Sequence, residues 1–241
     1  MKTESMIVGI IEQKHIISLL SQNKRLDNRA PFDLRELSIE TNVINKADGS
    51  AKVKLGNTMV YAGVKAELGA PFPDSPESGV LIVNIEMNPI ASPHFESGPP
   101  SKDAIEMSRV CDRAIREARV VDLDKLCVKA KEKVWLIFVD IYPLTDDGNL
   151  LDVSTIAAMA ALASTKLPVT EVNSKTNEIV KKTETKLLPI STFSTSITFS
   201  KIGNNLIVDP TLDEEKVEEG RFTVGVMENG YISALQKSSS A

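Results

Sequence analysis

The chain has 241 residues, 42% of them hydrophobic, which is enough to bury a substantial core in one large domain or two modest ones. Lys and Arg number 28 against 33 Asp and Glu, so the net charge is −5 with both signs scattered. This excludes a disordered tail of one sign and argues against general nucleic-acid binding, leaving a local basic patch, or a partner's help, as the only ways to hold a polyanion.

Cys111 and Cys127 have no zinc-type spacing and make no disulfide framework, so a reducing, cytoplasmic setting is expected. Glu12, Gln13 and Lys14 interrupt the apolar opening before it could form a signal core or a membrane span, and no membrane association is expected.

In chain order, Ile10, Ile11, Ile17 and Leu20 fall near helical spacing and predict a lead-in helix over 7–22. From Leu34 the pattern alternates, with strands expected at 35–44, 50–57 and 58–68 and a turn at 47–49, an antiparallel meander. A Pro-rich loop, 69–79, leads to a strand at 80–87, and the loop 92–101 delivers the chain to a helix, 103-DAIEMSRVCDRAIREARVVDL-123. The run 134-VWLIFVDIYPL-144 reads as a central strand covered on both faces, and 153-VSTIAAMAALAS-164 as a helix sandwiched between layers. The polar stretch 170–186 reads as an exposed hairpin or connector and a candidate domain boundary. Further strands are expected near 189–200, 205–208, 221–227 and 231–236.

At 100° per residue, Arg109, Arg113 and Arg116 span an arc of about 60° opposite Met107, Cys111, Ala114 and Ala118. Two readings fit this spacing. One is a salt-bridged solvent face, with Glu106–Arg109, Asp112–Arg116 and Arg113–Glu117 at i,i+3 or i,i+4. The other is a stripe of forked donors gripping successive phosphates of a single strand.

The segment 144-LTDDGNLLDVSTIAAMAAL-162 has the strand–turn–helix form of an anion site, but it is filled the wrong way. Leu150 and Leu151 offer no donors, Asp146, Asp147 and Asp152 repel phosphate, and Asp152 is placed to act as an N-cap. The aspartates lack calcium-loop spacing. His15 and His94 have no nucleophile motif nearby, Cys111 lies on a packing face, and 213-DEEKVEE-219 reads as a solvated helical turn. Trp135, Phe138 and Tyr142 read as core residues of their strand.

Taken together, 25-RLDNR-29, 48-DGSAKVKLGNTMVYAGVKAEL-68, 96-ESGPPSKDAIEMSRVCDR-113, 146-DDGNLLDVSTIAA-158 and 207-IVDPTLDEE-215 resemble the phosphorolytic RNase PH family. Within that family they resemble the non-catalytic ring subunits of the archaeal exosome, over about 25–237. The resemblance implies an α+β, RNase PH fold like that of ribosomal protein S5 domain 2, built as two α/β subdomains with mixed or antiparallel sheets and packed helices. It divides the chain into a lead-in helix at 1–24, a first domain at 25–170 and a second at 187–241.

Catalytic members carry Ser or Thr and then Arg where this chain has Leu150 and Leu151. Their second domain supplies aspartates, whereas 187-LLPISTFSTSITF-199 has no carboxylate. The implied chain therefore has no catalytic residues, no metal and no cofactor. It places Arg109 and Arg113 on single-stranded RNA, with Arg116 a third candidate.

The implied partners are a catalytic RNase PH-like subunit, alternating with this one as a trimer of heterodimers, and RNA-binding cap subunits. The rivals are a free-standing phosphorolytic exoribonuclease and a monomeric S5-like RNA-binding module. The family's Asp-Gly-Arg is Asp27-Asn28-Arg29 here, Asn being able to take positive φ, and the family's C-terminal helices are absent after the region of Gln236-Lys237.

Overall fold

The computed structural model describes residues 10–172 and 179–239. The lead-in helix is α1 (Ile10–Ser21), and residues 7–9 of the expected segment lie outside the described residues. The meander forms as expected. Strands β1 (Leu37–Thr41), β2 (Gly49–Leu55) and β3 (Thr58–Gly69) pair antiparallel in sequence order, and β3 then pairs antiparallel with β6 (Lys133–Thr145). Strand β4 (Val80–Ile85) lies parallel to β6 on its other side, and the chain between them carries helix α2 (Lys102–Arg116). Sheet order is therefore β1-β2-β3-β6-β4, with the short β5 (Cys127–Lys129) also on β6.

Helix α3 (Leu150–Ser164) lies between this sheet and the next, packing on β2 and β3 on one side and on β9 (Ser194–Ile202) on the other. Eleven of its fifteen residues are buried, which explains its uniformly apolar sequence and its run of alanines. The central strand differs from expectation. Ile137, Val139 and Ile141 are fully buried toward α3, but Leu136, Phe138 and Asp140 are half-buried and Tyr142 is 36% exposed. A helical layer covers one face of this strand only, so its side chains alternate.

The polar stretch contributes the strands β7 (Lys166–Val172) and β8 (Ile179–Leu187), an antiparallel pair whose tip, 173–178, lies outside the described residues. The second domain is an antiparallel sheet in the order β10-β9-β11-β12, formed with β10 (Asn205–Val208), β11 (Gly220–Met227) and β12 (Ile232–Ser239). A single helical turn, α4 (Leu212–Glu215), follows β10.

The inward face of this sheet is hydroxylic. Ser194, Ser196, Thr198, Ser200 and Thr223 are buried, while Ile197, Leu206, Phe222 and Leu235 face out. Helix α1 packs on this domain rather than the first, its Ile16 and Leu20 forming a small core with Ile202, Ile207 and Val217.

Candidate functional site

Ser101 caps α2 by accepting the Ala104 N–H at 3.1 Å, and Ala104, Val110, Cys111, Ala114 and Ile115 bury one face of the helix. The opposite face borders a groove of about 850 Å³ between α2 and β4, with apolar walls that include Phe72, Ile82 and Ile105. Arg109, Arg113 and Arg116 all line it and all are exposed, so the structure brings the three predicted arginines to one surface.

Their environments differ. Arg116 donates from Nε and Nη2 to the two Asp112 oxygens at 2.9 and 2.6 Å, and Nη2 also reaches the Leu81 carbonyl at 2.6 Å. That guanidinium is occupied in tying α2 to β4. Arg113 Nη2 donates to Gln236 Oε1 of β12 at 2.6 Å, and Gln236 Nε2 donates to Glu106 Oε1 at 3.2 Å. Arg109 makes no ion pair among the described residues. Of the three helical pairs allowed by spacing, only Asp112–Arg116 forms. Gln236 intervenes from 123 residues downstream, a separation that no local pattern could bridge.

The turn before α3 is closed. Gly148 sits at φ +84°, and a Cβ there would lie 2.5 Å from the Pro210 carbonyl oxygen, so glycine is required by both conformation and space. Arg35 donates to the carbonyls of Asp147 at 2.8 Å and Gly148 at 3.1 Å, and Thr58 Oγ1 donates to Gly148 O at 2.7 Å. Leu150 and Leu151 are buried in the main core.

The N-cap is Asn149, in the left-handed region at φ 58°, and not Asp152 as expected. Asp152 turns into the second domain, where it accepts the Thr198 N–H at 2.8 Å and the Thr198 and Ser196 hydroxyls at 2.9 Å each. Burial pushes its carboxyl up to about 6, and those donors hold it from rising further. The Asn149 N–H, which an anion would use, already donates to Glu215 Oε1 at 2.8 Å. Burial pushes Glu215 up to about 7. A carboxyl group of the chain itself therefore occupies the amide at the start of α3.

The model for the 3′ exoribonuclease family, domain 1, matches residues 33–168, and that for domain 2 matches residues 192–241. The chain belongs to the 3′ exoribonuclease, or RNase PH, family. It is 50% identical over 235 residues to an exosome complex component Rrp42 of Thermococcus kodakarensis, covering 98% of this chain and 86% of that protein. It is 48% identical over 237 residues to the component of the same name from Methanosarcina mazei, with 98% and 86% covered.

Among solved structures it resembles a chain of the Archaeoglobus fulgidus exosome with RNA bound to the active site. The TM-score is 0.87 at 44% identity, covering 96% of this chain and 88% of that one. It also resembles a chain of an archaeal exosome core, at TM-score 0.82 and 41% identity, with 96% and 86% covered.

Two of the stretches that carried the RNase PH resemblance turn out to hold each other. Arg25 is fully buried and donates to both Glu214 oxygens, at 2.9 and 2.5 Å, and to the carbonyls of Val208 and Asp209. Asp209 accepts from Arg29 at 2.8 Å, from Arg35 at 2.6 and 2.9 Å, and from Asn149 Nδ2 at 3.0 Å. Burial alone would raise the Asp209 carboxyl, but the Arg35 hydrogen bonds outweigh it and hold the group below its ordinary value. Asn28, which replaces the family's Gly, takes φ 65°. The acidic 213–219 is not the solvated turn expected from its charge, because Glu214 is 1% exposed and serves as the anchor for Arg25.

Cys111 is fully buried, 3.2 Å from Thr155 Oγ1, and burial pushes its thiol up to about 12, so it is not a nucleophile. His15 and His94 are exposed, and Trp135 lies in the main core. No group of three His, Cys, Asp or Glu side chains comes together as a metal site among the described residues, and none of the helices there is long and apolar enough to cross a membrane.

Proposed function

We propose that this chain is a non-catalytic ring subunit of an archaeal exosome. It guides single-stranded RNA and scaffolds a catalytic RNase PH-like partner that performs phosphate-dependent 3′-to-5′ degradation in the cytoplasm. The observation that carries this reading is the closed turn. Where the resemblance calls for phosphate donors, Leu150 and Leu151 are buried, and the neighbouring Asn149 N–H is satisfied by Glu215. The inward face of β9 supports it further, since its hydroxyls answer to Asp152 and it carries no carboxylate of its own.

RNA contact falls to the α2 groove. Arg109 and Arg113 present guanidinium groups there that make no ion pair among the described residues, and the apolar walls at Phe72 and Ile82 suit bases that carry no required sequence. Arg116 acts as a strut between helix and strand. Assembly as three heterodimers in a six-membered ring, with RNA-binding caps on one face, suits the apolar side chains left exposed at the outer strand β1, where Leu37 and Ile39 are about half exposed.

The test is to incubate the purified chain with single-stranded RNA, inorganic phosphate and magnesium, alone and after mixing with a catalytic RNase PH homologue. Nucleoside diphosphates are expected from the mixture only, together with a species of ring size in sedimentation. Steady release by the chain alone overturns the reading, and so does a monomer that ignores the homologue.

A further inference from the structure

Gln236 is an uncharged residue of the second domain standing in the arginine groove of the first. Its amide orientation is decided by its neighbours. The Arg113 guanidinium can only donate and the Glu106 carboxylate can only accept, so Oε1 faces Arg113 at 2.6 Å and Nε2 faces Glu106 at 3.2 Å. A flipped amide would set its NH2 against a cation and its oxygen against an anion.

The consequence lies in the pairs that do not form. Glu106 is three residues before Arg109, and Arg113 is four before Glu117, so on a free helix each acid would neutralise an arginine. With Gln236 in place, Glu106 is engaged by an amide and Arg113 is held by a neutral acceptor. Arg109 is left with no ion pair among the described residues. An amide fixes the position of Arg113 without cancelling its charge, which a carboxylate in the same place would do.

We infer that Gln236 is a positioning residue of the RNA groove, a neutral clamp from β12 that keeps Arg109 and Arg113 out of ion pairs and aimed at phosphate. This rests on the reading of the groove given above and adds to it that the second domain, through the one side chain it places there, sets the electrostatics of the arginine face.

A neutral side chain releases no counterions, so a merely structural role for Gln236 leaves the salt dependence of RNA affinity unchanged. As a positioning residue it alters that dependence. The measurement is the affinity of the assembled ring for a single-stranded RNA oligonucleotide across a series of salt concentrations, for wild type, Arg113→Ala, Gln236→Ala and Gln236→Glu. Each arginine removed from phosphate contact lowers the slope of log affinity against log salt by about 0.7.

Gln236→Ala is expected to weaken binding and lower the slope, as Glu106 turns to Arg109. Gln236→Glu, which keeps the side chain's shape, is expected to lower it by at least as much. Glu106→Gln added to Gln236→Ala is expected to restore much of the loss. If Arg113→Ala lowers the slope while both Gln236 variants leave it at the wild-type value, the inference is overturned and the groove reading stands. If Arg113→Ala itself changes nothing, the groove reading fails, and this inference with it.

Discussion

The Asp152 carboxylate of α3 and the Thr198 backbone N–H of β9 stand 2.8 Å apart, both buried, at the seam where the helix meets the second sheet. Asp152 also takes the hydroxyls of Thr198 and Ser196, so a single carboxylate satisfies three donors on an inward sheet face made of hydroxyls rather than of apolar groups. Asp152→Ala leaves the Thr198 N–H without its acceptor and the two hydroxyls with only Thr155 Oγ1 and Thr223 Oγ1 beside them, and unfolding free energy is expected to fall by about 3 kcal/mol. Asp152→Asn keeps one oxygen for the N–H and is expected to cost clearly less. Denaturant midpoints of the two variants check the order.

Asp209 draws Arg29, Arg35 and Asn149 together, and through Arg35 it steadies the carbonyls of the Asp147-Gly148 turn. Asp209→Ala removes the carboxylate shared by two largely buried guanidinium groups, leaving Arg29 with Asp27 and Arg35 with Asp147, a loss expected to be about 3 kcal/mol. Faster amide exchange at Gly148 and Asn149, measured beside the stability change, distinguishes loss of this clamp from a general weakening.

Glu215 predicts an unusual pH dependence. Its carboxyl, ordinarily at 4.5, stands at about 7 when folded, so between these values the native chain binds more protons than the unfolded one. This contribution to stability is fully present below 4.5 and is lost as pH rises through about 7. Asp152, raised from 3.8 to about 6, acts in the same direction. Glu215→Gln keeps an acceptor for the Asn149 N–H and removes the titration. Between about pH 5 and about pH 8, urea midpoints of the wild type should therefore fall more than those of the variant. Parallel curves would contradict the assignment.

Leu150→Ser with Leu151→Arg writes phosphate donors back into the turn. Both leucines are buried, so the double variant is expected to melt lower, at a cost of about 2 kcal/mol for each apolar side chain lost. It should still release no nucleoside diphosphates, because Glu215 continues to occupy the Asn149 N–H and β9 offers no carboxylate.

The elements were legible where local chemistry decides them. The meander alternation, the all-round apolar α3 and the arginine face of α2 could each be read from spacing alone. What could not be read came from contacts between distant segments. Gln236 lies 123 residues from Arg113, and the partners of Arg25 lie 183 to 189 residues on. The acidic 213–219 looked solvated because its charge was visible and Arg25 was not recognisable as its partner. Asp152 looked like an N-cap because helix-start chemistry is a local signal, while the hydroxyl face of β9 that captures it is not. The RNase PH resemblance was visible through motif order, yet it gave no reason for two of those motifs, which prove to be the two sides of one buried clamp.

The most direct test is the salt dependence of single-stranded RNA affinity for the assembled ring carrying Arg109→Ala and Arg113→Ala together. Both side chains lie opposite the packing face, so the fold and the assembly should survive. With two phosphate contacts gone, affinity should weaken whatever the base sequence, and the slope of log affinity against log salt should drop by about 1.4. An unchanged affinity and slope in an intact ring would contradict the account, making α2 a solvated surface and this chain a spacer with no part in holding RNA.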